Sequence, residues 1–172
     1  LSMLGQVALE EEAGKTTNGL GFAIVDRGPR ELLEFATPEQ IERFVSPIVR
    51  GEYREAWAVT EPGAGSDVSA VAATAERDGD GWAINGEKWF VTGPDDTDFM
   101  IFHCVVLEGG ERLPTLFLVD YDTPGVRLQH DPDYTHTFAD RHPQFVLEDV
   151  RVPDTQRLGA VGAADELTNE WF

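Results

Sequence analysis

The spacing of apolar and polar residues changes period close to Gly51. Upstream it is helical: Leu4, Val7, Ala8 and Glu11 recur at three- and four-residue intervals, with Glu10, Glu11 and Glu12 on a solvated flank. Thr37–Pro38–Glu39–Gln40 is a helix-start signal. Thr37 can cap, Pro38 suits the first helical position, and Gln40 completes a capping box. Ile41, Phe44 and Val45 then form the buried stripe of a short helix expected to end near Pro47 and Gly51.

Downstream the pattern is one of short strands. Residues Glu55 to Thr60 predict a strand that runs into the loop Glu61–Pro62–Gly63–Ala64–Gly65–Ser66–Asp67. Asp78–Gly79–Asp80–Gly81 separates two further strands. Asn85–Gly86 is a type I′ hairpin signal, because both residues tolerate the positive φ which that turn demands. Trp82 and Ile84 alternate before it, and Trp89 and Val91 after it. Glu108–Gly109–Gly110–Glu111 and Asp122–Thr123–Pro124–Gly125 punctuate the next apolar runs, and residues Phe145 to Val152 make a last strand stopped by Pro153. Turns at such short intervals, without βαβ alternation, predict an α+β chain. Its centre is an antiparallel β-barrel or sandwich, with short helical segments before it and a helix start, Asp165 to Phe172, after it.

Composition narrows the function classes. No apolar run approaches the roughly 18 residues of a spanning helix. The 32 acidic against 13 basic side chains give a formal charge of −19, which repels phosphate backbones and anionic lipid and so argues against nucleic acid and membrane partners. A polyanionic ligand needs a local island of Arg or Lys, or basic residues from elsewhere. Cys104 is the single cysteine and sits in an apolar run from Met100 to Val106, the setting of a small buried hydrophobe rather than a nucleophile. A reducing, cytoplasmic compartment is the matching expectation.

The loop from Glu61 to Asp67 carries the chemistry. Its Gly63–Ala64–Gly65 is not a dinucleotide fingerprint, since the third glycine is missing and a turn-rich β pattern follows where a helix is required. Two glycines do let the backbone come close to a flat or phosphorylated ligand, and Thr60 and Ser66 add hydroxyls. His136 and His142 read as surface residues, and no metal site is expected.

Thr60–Glu61–Pro62–Gly63–Ala64–Gly65–Ser66–Asp67, followed by Ile84–Asn85–Gly86–Glu87–Lys88–Trp89–Phe90–Val91–Thr92, resembles the acyl-CoA dehydrogenase family. The resemblance continues in order through Phe117–Leu118–Val119, Thr123–Pro124–Gly125–Val126 and Glu148–Asp149–Val150–Arg151–Val152–Pro153. It implies the end of an N-terminal helical domain at 1–52, a middle β-domain at 53–157, and the truncated start of a C-terminal helical domain at 158–172. It implies FAD as cofactor. Trp57, Val59, Thr60, Gly65 and Ser66 would form one flavin segment, and Phe90, Val91 and Thr92 a second. Within them the Thr60 hydroxyl would face the pyrimidine edge, Phe90 would stack on the ring, the Thr92 hydroxyl would lie near N5, and Ser66 would also touch the acyl-CoA substrate.

The implied reaction oxidises an acyl-CoA thioester to the 2,3-enoyl-CoA, by Cα proton abstraction and hydride transfer to flavin N5. No residue of this chain is assigned as the base, which the resemblance places downstream of Phe172. An electron-transferring flavoprotein would accept the electrons, and the full-length protein would be a homo-oligomer. The fragment alone is expected to be inactive. The sequence departs from the family pattern in carrying Phe90 where Trp is usual, Gly93–Pro94 where Asn–Gly is favoured, and no Gly-x-Arg motif between Asp131 and Pro143. Two alternatives stay open: another flavoenzyme on the same scaffold, an oxidase or monooxygenase, and a non-catalytic binding or assembly module.

Overall fold

The computed structural model describes residues 2–16, 30–93, 97–133, 135 and 141–171. The chain forms two compact units, Leu1–Arg30 and Glu31–Phe172. The first contains helix α1 (Met3–Ala13), whose start is capped by Ser2 accepting from the Gly5 amide. Met3, Leu4 and Val7 are exposed on it.

The second unit begins within α2 (Arg30–Phe35), at Glu31, and continues with α3 (Pro38–Gln40), a π-turn (Ile41–Val45) and α4 (Ser46–Val49). The capping box at Thr37 forms as its sequence predicts. The Thr37 hydroxyl accepts from the Gln40 amide, and Gln40 Oε1 accepts from the Thr37 amide. Gln40 Nε2 also donates to the carbonyls of Thr155 and Arg157, so the buried amide is satisfied on both sides. Pro47 does not end the helix. A proline lacks the N–H and crowds the carbonyl four residues back, and the wider π-turn just before it, with Ser46 N–H bonding to Ile41 O, carries the helix through to Val49.

The described strands are β1 (Glu55–Ala58), β2 (Thr74–Asp78), β3 (Gly81–Lys88), β4 (Phe99–Glu108), β5 (Glu111–Asp120), β6 (Val126–His130), β7 (Gln144–Pro153) and β8 (Arg157–Leu158). They run in the order β6-β7-β3-β2-β4-β5-β8. The expected choice between barrel and sandwich resolves as a sandwich: the sheet does not close between β6 and β8. Nor is it wholly antiparallel. β1 and β2 both pair in parallel with β4, at Phe99–Phe102 and at Val105–Val106. β4 lies between two cores. Met100, Phe102, Cys104 and Val106 point into the space between the two halves of the curled sheet, with Trp82, Ile84, Phe117 and Phe145. Phe99 and Ile101 point the other way, under Leu32, Phe44, Val45 and, from α5 (Ala164–Trp171), Leu167. Burial on both faces from Phe99 to Val106 explains why that stretch of β4 is apolar, His103 apart, instead of alternating.

Gly109 and Gly110, both at positive φ, close the β4–β5 hairpin where expected. Asn85–Gly86 does not form the expected hairpin. β3 runs straight through it, and the β2–β3 turn lies at Gly79–Asp80. Against β7, the pairing shifts register between Ile84 and Gly86, with Asp149 as the extra residue on β7 at φ 52°. The Asn85 side chain accepts the Asp149 amide that the bulge unpairs. A Cβ on Gly86 would come within 2.5 Å of Ala73 Cβ. Local turn chemistry and a bulge call on the same residue types, and here the partner strand decides.

Burial pushes the Cys104 thiol up to about 12, as befits an inert core residue. His103 is the anomaly of β4: it is buried, and neither ring nitrogen has a hydrogen-bond partner among the described residues. Burial, then the Lys88 charge, lowers its pKa to about 4.

Two predictions follow from this packing. Gly86→Val should destabilise the chain by about 2 kcal/mol or more in urea unfolding, because the obstruction is backbone and a small core alanine. For His103, the unfolded chain binds the proton near pH 6.5 and the folded chain only near 4. Stability should therefore fall by about 2 kcal/mol from pH 7 to pH 5, and His103→Leu should flatten that slope.

Candidate functional site

β1 delivers Trp57, and the chain continues through Val59 and Thr60 before turning sharply. The turn is closed by reciprocal backbone bonds, Glu61 N–H to Ala64 O (2.9 Å) and Ala64 N–H to Glu61 O (3.1 Å). What holds it is a buried ion pair absent from the sequence-predicted site. Lys88 Nζ lies 2.6 Å from Glu61 Oε1, with both side chains withdrawn from solvent. Lys88 also donates to the carbonyls of Val59 and His103. The Glu61 carboxylate accepts the amides of Ala72 (2.6 Å) and Ala73 (3.0 Å). Each charge is thus paired and further hydrogen-bonded, the condition under which a buried pair is tolerated. The Trp89 amide donates to Thr60 O (2.7 Å), which ties the two segments together.

Past Lys88 the chain takes a second irregular step. Lys88 pairs with Phe145, whereas the Val91 amide bonds to Pro143 O and the Gly93 amide to Arg141 O. Trp89 and Phe90 therefore stand opposite the single residue Gln144, and Phe90, at φ 56°, is a bulge residue. Phe90 and Asp149 are the non-glycine residues with positive φ among those described. The Phe90 ring is thrown outward, 48% exposed, and meets Trp89 edge-on at 5.9 Å between centroids.

These segments enclose an open cavity of about 380 Å³, lined by Glu55, Ala56, Trp57, Val59, Thr60, Trp89, Phe90 and Thr92. Of the residues expected to hold the flavin, Trp57, Val59, Thr60, Phe90 and Thr92 come together there. Val91 does not line it; its side chain is in the core. Gly65 and Ser66 are exposed on the loop beyond the cavity wall. Trp89, Glu55 and Ala56 were not singled out as site residues in the sequence, and alternation from Trp57 could have suggested Glu55 alone.

The charge that a polyanion would require is not in the lining, where Glu55 is the one ionisable side chain. Among the described residues no cluster of three His, Cys, Asp or Glu side chains forms a metal site, and no helix is long and apolar enough to cross a membrane. His136 and Asp140 lie outside the described residues. His142, expected at the surface, is partly exposed there, and its Nδ1 lies 3.0 Å from the Thr92 hydroxyl.

The site has the shape of a platform for a flat ligand. A large aromatic face is offered to solvent on strained backbone, beside two hydroxyls, above a wall fixed by a buried ion pair. Gly63 and Gly65 have no positive φ and nothing within 4 Å of an added Cβ. The fold itself does not require them to be glycine, so the open space above them suits the approach of a ligand.

Comparison with known proteins agrees with this architecture. The family described as "Acyl-CoA dehydrogenase, middle domain" matches residues 56–150, more than half of the chain. The chain belongs to the acyl-CoA dehydrogenase family. It is 35% identical to the (R)-benzylsuccinyl-CoA dehydrogenase of Thauera aromatica, over 95% of this chain and 42% of that protein. It is 37% identical to the caffeyl-CoA reductase-Etf complex subunit CarC of Acetobacterium woodii, over 76% of this chain and 35% of that protein. Among solved structures, the FAD complex of PigA superposes with a TM-score of 0.84 at 25% identity, covering 96% of this chain and 44% of that one. The chain thus spans less than half the length of each.

Lys88→Met should cost about 3–5 kcal/mol in urea unfolding, because it leaves the Glu61 carboxylate buried without a counter-charge. Adding Glu61→Gln should recover part of that loss. A double variant no more stable than Lys88→Met would argue against the pair.

Proposed function

We propose that this chain is the flavin platform of an FAD-dependent acyl-CoA dehydrogenase, an oxidoreductase acting on the CH–CH bond next to a thioester. The observation that carries the reading is the convergence of Trp57, Val59 and Thr60 with Phe90 and Thr92 around one cavity. Two segments that the family resemblance singles out separately are there joined by the bond from the Trp89 amide to Thr60 O.

The cofactor is FAD, and when bound it supplies the hydride acceptor at N5. The chain's own residues do the rest of what this platform offers. Phe90 presents its exposed ring to stack on the isoalloxazine. The Thr60 hydroxyl serves the pyrimidine edge and the Thr92 hydroxyl the N5 edge, positions where hydrogen bonds stabilise charge that builds up during reduction. Gly65 and Ser66 hold the loop open for the pyrophosphate and the acyl-CoA, with Ser66 in direct contact with substrate.

The domain limits follow the same reading: 1–52 closes an N-terminal helical domain, 53–157 is the middle domain, and 158–172 opens a C-terminal helical domain. The base that takes the Cα proton comes from beyond Phe172, and the CoA phosphates require basic groups outside the cavity lining. Electrons pass to an electron-transferring flavoprotein, a partner supported by the relative named as part of an Etf complex. The working protein is a homo-oligomer of the cytoplasm that acts in fatty-acid β-oxidation.

Thr92→Val tests the placement at N5. In the FAD-loaded protein it should slow flavin reduction by about tenfold or more while changing acyl-CoA affinity much less. Equal losses in both, by stopped-flow reduction and equilibrium titration, would count against the assignment.

A further inference from the structure

The two backbone bonds that flank Thr92 fix its cross-strand neighbour. With Val91 N–H on Pro143 O and Gly93 N–H on Arg141 O, both 3.1 Å, residues 92 and 142 stand directly opposite each other on antiparallel strands. Neither bond involves residue 92 or 142 itself. They therefore form the non-hydrogen-bonded kind of pair, in which the strands come closest and the side chains meet. The result is the 3.0 Å contact between Thr92 Oγ1 and His142 Nδ1. His142 is held against the hydroxyl by strand register rather than by chance at a surface.

The polarity of that bond matters. A threonine hydroxyl has one proton and lone pairs to accept with. If His142 Nδ1 carries its proton, it donates to Oγ1, and the hydroxyl proton is left to point elsewhere. If the imidazole carries its proton on Nε2, the hydroxyl donates to Nδ1 and shows its other neighbour only lone pairs. A neutral imidazole supplies either arrangement. Oxidised flavin offers an unprotonated acceptor at N5, whereas the reduced ring carries a proton there, so the two states ask for opposite polarity from one hydroxyl.

We propose that His142 is the positioning residue of the Thr92 hydroxyl, setting whether a proton or a lone pair faces the flavin. This rests on the placement of Thr92 at the N5 edge. Its role is to bias the hydroxyl toward one of these two polarities, and so toward one redox state, by fixing which way the hydroxyl proton points.

The test compares the affinities of oxidised and reduced FAD for the protein and its variants, with the absorption spectrum of the bound flavin as a second readout. His142→Leu, which can neither donate nor accept, should change the ratio of the two affinities by about tenfold, the worth of one hydrogen bond. His142→Asn offers an N–H or a C=O by turning its amide, and should bring the ratio back to within about threefold. In a Thr92→Val background, His142→Leu should have no further effect on the ratio or the spectrum. The inference is overturned if His142→Leu weakens both redox forms equally, if the asparagine fails to rescue, or if the effect persists without the Thr92 hydroxyl. Thr92→Val behaving as wild type toward both forms would instead remove Thr92 from the flavin edge, and that placement falls with it.

Discussion

The Lys88–Glu61 pair is the interaction on which the rest of the site depends. It is buried where no solvent can compensate for either charge, so the protein must satisfy both, and the groups it uses are those that define the site. Lysine draws in the carbonyls of Val59 and His103, which brings the end of β1 and the middle of β4 to the end of β3. The carboxylate draws in the amides of Ala72 and Ala73, which closes the far side of the Gly63–Gly65 loop. One ion pair thus fixes three elements relative to one another. The exposed Phe90 tolerates its irregular backbone because Lys88, two residues before it, is anchored. A pair of this kind is a costly way to gain stability but an effective way to select one arrangement over near alternatives.

What could be read from the sequence was local. The capping box from Thr37 to Gln40 and the double-glycine hairpin at Gly109–Gly110 depend on residues a few positions apart, and both form as their chemistry dictates. The alternation in β3 and β7 and the terminal helix likewise follow from short-range pattern. Long-range partners could not be read. The parallel pairing of β1 and β2 with β4 leaves no mark in any one segment. Asn85–Gly86 carries a turn signal that the opposing strand converts to a bulge. Lys88 and Glu61 are 27 positions apart, and a lysine ahead of Trp–Phe–Val looks like any exposed charge. The candidate site was legible only in outline, through motif resemblance. Composition had nothing to say about which of Val91 and Thr92 would face the ligand.

The chemistry of the cavity wall is specific. Its walls are aromatic, hydroxylic and, at Glu55, acidic, which suits a flat uncharged ring better than a chain of phosphates. Glu55 is the one ionisable side chain in that lining, in keeping with the strongly acidic chain. The His103 imidazole is buried without a hydrogen-bond partner among the described residues, and its lowered pKa predicts lost stability in acid, while its backbone carbonyl helps hold Lys88.

The two bulges in the β3–β7 ladder have opposite sense. Asp149 adds a residue to β7, and Phe90 then adds one to β3, so the pairing leaves its register at Gly86 and regains it by Val91. A strand alternates its side chains strictly, and an inserted residue exchanges odd for even. Trp82 and Ile84 face the core from even positions; after Phe90 it is Val91 that faces in and Thr92 that faces out. Phe90 thus works as a half-period phase shift in the strand. The Thr92 hydroxyl reaches the cavity because of parity alone: were the same residues to pair without the bulge, Val91 would face the cavity and Thr92 the core.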